Sequence, residues 1–148
     1  MMCRKFTLSV TFLMSVLGGY SQNNLPDTAN LFPNDMLDGQ KVYTRAKPMP
    51  QFTGDVYQLL RDSLSYPPAA GKWRGTVYVS MVIDTNGNVR NAGIVKVGSA
   101  KYVPKAIETE MVGLMLRMGK WKPGIVNRKL VPVRVYLPGV TFEPPDGQ

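Results

Sequence analysis

Apolar positions along the chain change period several times, and each period implies an element. Phe6 to Leu17 is an almost continuous apolar run of Phe, Leu, Val and Met broken by Thr and Ser. Val56, Leu59, Leu60 and Leu64 fall at i, i+3, i+4 and i+8, one face of a short helix. Asp55 with Gln58 three residues on has the form of a capping box. Tyr66-Pro67-Pro68 stops this helix, because proline disfavours helical geometry in the residue before it. From Gly75 the period becomes two: Val77, Val79, Met81 and Ile83 share one face of a strand, Thr76, Tyr78 and Ser80 the other. Thr85-Asn86-Gly87-Asn88 predicts a hairpin, with Asn-Gly suited to a type I′ turn. Val89 to Val97 returns as a second strand, and Gly93 interrupts its alternation where a bulge is expected.

A second helix is predicted from Pro104, a favoured first helical position. Ile107, Met111, Leu114, Met115 and Met118 form its stripe, and Gly119 stops it. Such a methionine stripe suits either a pliable binding surface or core packing, and a helix with one apolar face and a sheet to cover favours the core. Leu130 to Phe142 is predicted as one last strand with Val131, Val133, Val135 and Leu137 facing inward. The order helix–strand–strand–helix–strand gives an α+β domain over residues 49–143, two helices packed on a three-stranded antiparallel sheet. A domain of roughly 95 residues hides about 60–68% of its unfolded surface, enough for independent folding.

The flanks are different in kind. Residues 1–21 have the form of a secretory signal, with Arg4 and Lys5 before the apolar run and Gly19-Tyr20-Ser21 at the expected cleavage site. This run is shorter than the about 20 residues of a membrane span. Export to the periplasm is therefore the expected location, and anchorage in the inner membrane by an uncleaved segment is the alternative. Residues 22–48 are rich in Asn, Asp, Gln and Pro without helical or strand period and read as a flexible leader. Residues 144–148 read as a disordered tail.

The last predicted strand carries a further signal. Pro132 and Pro138 share one parity, so both missing amides lie along one edge, where proline is tolerated. The odd residues 131, 133, 135 and 137 should then pair with the first strand. Arg134 and Tyr136 keep the free donors of the outer edge. Such an edge is either merely blunted against aggregation or open to one extended peptide by strand addition.

Composition narrows the chemistry. The 148 residues include no histidine and a single cysteine, Cys3. Without them a Ser-His-Asp triad, a Cys-His pair, a disulfide framework and a cysteine zinc site are excluded. Glu108 and Glu110 point to different helix faces and make no catalytic pair, and no phosphate loop or metal-ligand cluster is visible. No enzyme activity, cofactor or metal is expected. The formal charge is +8. Residues 85–142 carry Arg90, Lys96, Lys101, Lys105, Arg117, Lys120, Lys122, Arg128, Lys129 and Arg134 against Glu108 and Glu110. In an exported chain such a bias suits acidic protein segments, lipid headgroups or cell-wall polymer better than nucleic acid, or simply a solvated face.

Met49-Pro-Gln-Phe52, Tyr66-Pro67 with Ala69-Ala70, Gly75-Thr-Val-Tyr-Val79, the methionine-rich helix, Lys120-Trp-Lys-Pro-Gly124 and Val131-Pro-Val133 closing in Val140-Thr-Phe142 occur in this order. This run, over about residues 49–143, resembles the TonB C-terminal domain. The resemblance implies a periplasmic two-helix, three-stranded fold that takes the N-terminal TonB-box segment of outer-membrane receptors as an added strand beside its last strand. Val131, Pro132, Val133, Arg134, Val135, Tyr136 and Leu137 are then the expected partner-strand residues. Tyr66 and Pro67 match the family's Tyr-Pro near the receptor-binding surface, though Tyr66 equally suits packing on the sheet. Lys120, Lys122, Arg128 and Lys129 would steer an acidic segment. Departures from the family are also present: no anchor-helix histidine, no proline-rich spacer, a shorter stretch between Pro67 and Gly75, and Gly139 as an extra residue expected to form a bulge. An accessory or competitor to a full-length transducer fits these departures. A wall-binding module, closed at its edge by dimerisation, is the alternative.

Overall fold

The computed structural model describes residues 35–96 and 102–145. The signal-like segment, the start of the leader, Val97, Lys101 and the end of the tail lie outside the described residues.

Residues 35–48, expected as an unstructured leader, are folded. β1 (Met36–Leu37) and β2 (Gln40–Lys41) form a hairpin, with Met36 opposite Lys41 and Leu37 opposite Gln40. Asp38 and Gly39 close it with φ of 49° and 79°, the left-handed pair of a type I′ turn. β3 (Gln51–Phe52) follows, and then α1 (Val56–Ser63). Asp55 caps α1 as expected, its Oδ1 accepting from the amides of Tyr57 and Gln58 at 2.8 and 3.1 Å.

β4 (Gly75–Val77) and β5 (Val79–Ile83) are one strand interrupted at Tyr78, and β6 (Val89–Ile94) returns antiparallel to β5. The turn between them departs from type I′. Asp84 Oδ1 accepts from the amides of Asn86 and Asn88, both at 2.9 Å, and the Gly87 amide donates to the Asp84 carbonyl at 3.0 Å. Only Gly87 has a positive φ there, 80°. The aspartate side chain thus organises a wider loop ending in a left-handed glycine. The β6 bulge lies not at Gly93, which pairs with Ser80, but in the shift before Arg90 pairs with Val82. Asn91 takes φ 48° there, and asparagine is the side chain that tolerates it best.

α2 (Lys105–Arg117) has Pro104 as its N-cap, one position before the expected place. Ile107, Met111, Leu114, Met115 and Met118 are buried in one cluster with Val56, Leu60, Val77, Val79, Met81, Ile83, Val133, Val140 and Phe142. The methionine stripe is core.

The chain after α2 corrects the idea of one last strand over 130–142. β7 (Trp121–Lys122) pairs with β3. β8 (Gly124–Val126) and β9 (Lys129–Val131) make their own hairpin through Asn127 and Arg128, at φ 49° and 64°. β10 (Val133–Tyr136) joins β5, and β11 (Val140–Phe142) joins β4. The breaks fall at Pro132 and after Leu137, where prolines withhold ladder donors. Tyr136 stands opposite Ser80, the Leu137 amide donates to the Val79 carbonyl at 3.0 Å, and Val140 stands opposite Val77. Pro138 and Gly139 therefore share Tyr78 as their counterpart, which is the bulge expected at Gly139. A β-carbon on Gly139 would come within 2.8 Å of Thr76 Cγ2 and Tyr78 Cε1.

Among the described residues the result is a mixed α+β fold with two α-helices and several small antiparallel sheets. The main sheet has the order β10–β5–β6. Its helix-facing side holds the large core. Its other side is covered too: Leu37 and Val42 pack with Val82 in a second, smaller cluster.

Candidate strand-docking edge

β10 lies at one margin of the three-stranded sheet, so its outer edge is where an added strand would join. The Leu137 amide turned toward β5 establishes the parity inferred from the prolines. Odd residues pair inward, and the side chains of Val133, Val135 and Leu137 enter the core. Val131 departs from this scheme, because it pairs with Gly124 in the β8–β9 hairpin and not with the first strand.

The outer edge is not open throughout. The Arg134 amide donates to the Tyr43 carbonyl at 2.8 Å, and the Tyr43 amide donates to the Pro132 carbonyl at 2.9 Å. Tyr43 thus forms a parallel bridge with Val133. A residue from the supposed leader takes the donor that the sequence left free at Arg134. Tyr136 is the next even residue, and by the same alternation its amide points outward. Its Oη is buried with no hydrogen-bond partner among the described residues.

The Arg134 side chain corrects a second expectation, that it belongs to a solvated basic face. The residue is only 4% exposed. Its Nε lies 2.5 Å from Asp35 Oδ2, and its Nη1 donates to Ser80 Oγ at 3.1 Å. A buried guanidinium needs such partners, since an unpaired one costs several kcal/mol. Arg90 is likewise engaged, 3.2 Å from Asp38 and 3.6 Å from Asp84. Two acids of the leader, Asp35 and Asp38, therefore face two cations of the basic half.

The other expected contacts are scattered. Tyr66 is buried, with Oη 2.7 Å from the Trp73 carbonyl and 3.0 Å from that of Gly71. It closes the loop after α1 from inside, and burial pushes its phenol pKa up. Pro67 is half-buried, and its carbonyl accepts from the Ala70 amide at 2.9 Å. Lys120 is exposed, and its Nζ donates to Asn88 Oδ1. Lys122 is exposed on β7, while Arg128 and Lys129 are exposed at the β8–β9 turn just ahead of β10.

Asp35, Leu37, Val42, Tyr43, Ser80 and Val82 were not singled out from the sequence. Two signals for them were present. Asp38-Gly39 between Met36-Leu37 and Val42-Tyr43 is a hairpin signature. Val82, apolar on the face assigned to Thr76, Tyr78 and Ser80, marks a strand covered on both sides. Among the described residues no group of three or more acids, histidines or cysteines is placed to hold a metal. No protein-family model, curated protein or solved structure matches the chain.

Proposed function

We propose that the chain is a non-enzymatic periplasmic protein of TonB C-terminal type that binds an extended segment of an outer-membrane receptor by strand addition beside β10. Its role would be in envelope transport, as accessory or competitor to a full-length transducer. The observation that supports this reading is the Tyr43–Val133 bridge. There a single residue of the chain itself exchanges hydrogen bonds with the outer edge of β10, at the Pro132 carbonyl and the Arg134 amide, as an added strand would. Binding by this mode draws affinity from main-chain bonds and specificity from alternate side chains. The order of helices and strands and the run of motifs from Met49 to Phe142 support the same reading.

The test is affinity capture from the native envelope with tagged full-length protein, followed by mass spectrometry of the eluate. Tyr136→Pro, which removes an outward amide, is the control. Outer-membrane receptors are expected with the parent and depleted with the variant. Receptors absent from both eluates, with cell-wall polymer retained instead, would replace this reading by a wall-binding one.

A further inference from the structure

On the strength of the strand-addition reading, we propose that the segment Asp35–Tyr43 is a resident guard of the docking edge, which an incoming strand must displace. Several interactions hold it there, among them the Arg90–Asp38 ion pair at 3.2 Å and the packing of Tyr43 against the large core cluster. The Tyr43 backbone bridges Pro132 and Arg134, the Asp35 carboxylate neutralises buried Arg134, and Leu37 with Val42 covers Val82. Any other strand seated at Val133 meets the same carbonyl, the same amide and the same guanidinium. The two occupants exclude each other.

The hold is built to open locally. The β1–β2 hairpin has two residue pairs, extended by the Val42 amide donating to the Asp35 carbonyl at 2.9 Å, and a two-stranded hairpin by itself is marginal in water. Met36 at its start is 54% exposed. Behind the guard the chain is fastened again, with the Lys47 amide donating to the Ile125 carbonyl at 2.8 Å and the Ile125 amide to the Pro48 carbonyl at 3.2 Å. Residues up to Tyr43 can therefore leave the edge with the loss of one partly buried side chain, Tyr43, from the margin of the helix-side core, whose fully buried members stay packed. A guard that leaves the edge free one-tenth of the time weakens the apparent affinity of a competing strand about tenfold.

A fluorescein-labelled synthetic peptide with the sequence of residues 35–43 serves as the competing strand, and full-length protein is the receptor. Anisotropy titrations compare the parent with Tyr43→Pro, which lacks the amide that bonds Pro132. Hydrogen exchange at the Arg134 amide reports the state of the edge, and exchange at Met81 reports the fold. Binding about tenfold tighter or more in Tyr43→Pro, with Arg134 exposed in the free variant and protected again by peptide, is the expected result. Equal affinity for parent and variant would overturn the guard and leave strand addition standing. No binding to a variant whose Arg134 amide exchanges freely would overturn strand addition at this edge and the guard with it. Because the carbonyl at position 43 persists in Tyr43→Pro, an Arg134 amide as protected in both that variant and Asp35→Asn as in the parent would overturn the guard. If Tyr43→Pro loses protection at Met81, Asp35→Asn takes its place under the same criteria.

Discussion

Tyr66 turns its hydroxyl toward the carbonyls of the loop it closes, and burial holds its phenol above the ordinary pKa of 10.0. A group whose folded pKa is raised contributes stability that is complete below the unfolded pKa and is lost as pH rises through the folded one. Urea melts from pH 8 to 11 should therefore show an alkaline loss above about pH 10 that is smaller in Tyr66→Phe than in the parent. Near neutrality Tyr66→Phe should cost about 1 kcal/mol for the hydrogen bond removed. Gly87 makes a different demand. Its φ is 80°, and a β-carbon there would overlap the Trp121 carbonyl oxygen, because the Trp121 amide donates to the Gly87 carbonyl at 3.0 Å. Gly87→Ala should destabilise by more than about 1 kcal/mol, since strain and overlap add, as read from the urea midpoint. Glycine was legible here as a turn residue. Its closeness to Trp121 was not, because residues 34 positions apart meet only in the folded chain.

Among the elements, β10 and the leader hairpin differ most in how they are held. Val135 stands opposite Met81 with its amide turned toward β5, whereas the Tyr136 amide points away. Val135→Pro should abolish cooperative folding in a thermal melt. Tyr136→Pro should keep a melt and weaken strand binding. Identical behaviour of the two variants would refute the alternation. The leader hairpin, by contrast, should open apart from the core. Asp35→Asn should lower the global stability read from a urea melt by less than about 1 kcal/mol while accelerating exchange at Arg134, because the hairpin can open locally before the fold is lost. Both helices, the β5–β6 hairpin and the proline parity of β10 could be read from periodicity and turn residues, for they depend on residues a few positions apart. The three-way division of residues 124–142 could not. There, continuous β-propensity hides a choice between pairing with β5 and pairing within the β8–β9 hairpin, and that choice is made by Pro132 together with the Asn127-Arg128 turn.

For the whole molecule, one core cluster joins α1, α2 and the inner faces of β4, β5, β10 and β11. Met111 is fully buried within it. Met111→Ala should cost about 2–5 kcal/mol in a urea melt, several times the cost of Asp35→Asn. That contrast separates the element that folds the protein from the element that covers the edge. The charge asymmetry between the two halves also changes meaning at this scale. Asp35 and Asp38 of the near-neutral N-terminal half are brought against Arg134 and Arg90 of the basic half. Part of the basic bias is thus met inside the molecule and is not offered to a partner.

Local pattern was sufficient for the amphipathic helices, the Asp55 cap and the direction of each amide along β10. Tertiary structure alone decided what lies against that edge. Asp35 and Arg134 are 99 residues apart, and Tyr43 reaches Pro132 across the folded sheet. No periodicity links positions so distant, because their meeting depends on the combined twist, turns and packing of everything between them. Occupancy of the outer edge of β10 is for that reason a property of the folded chain.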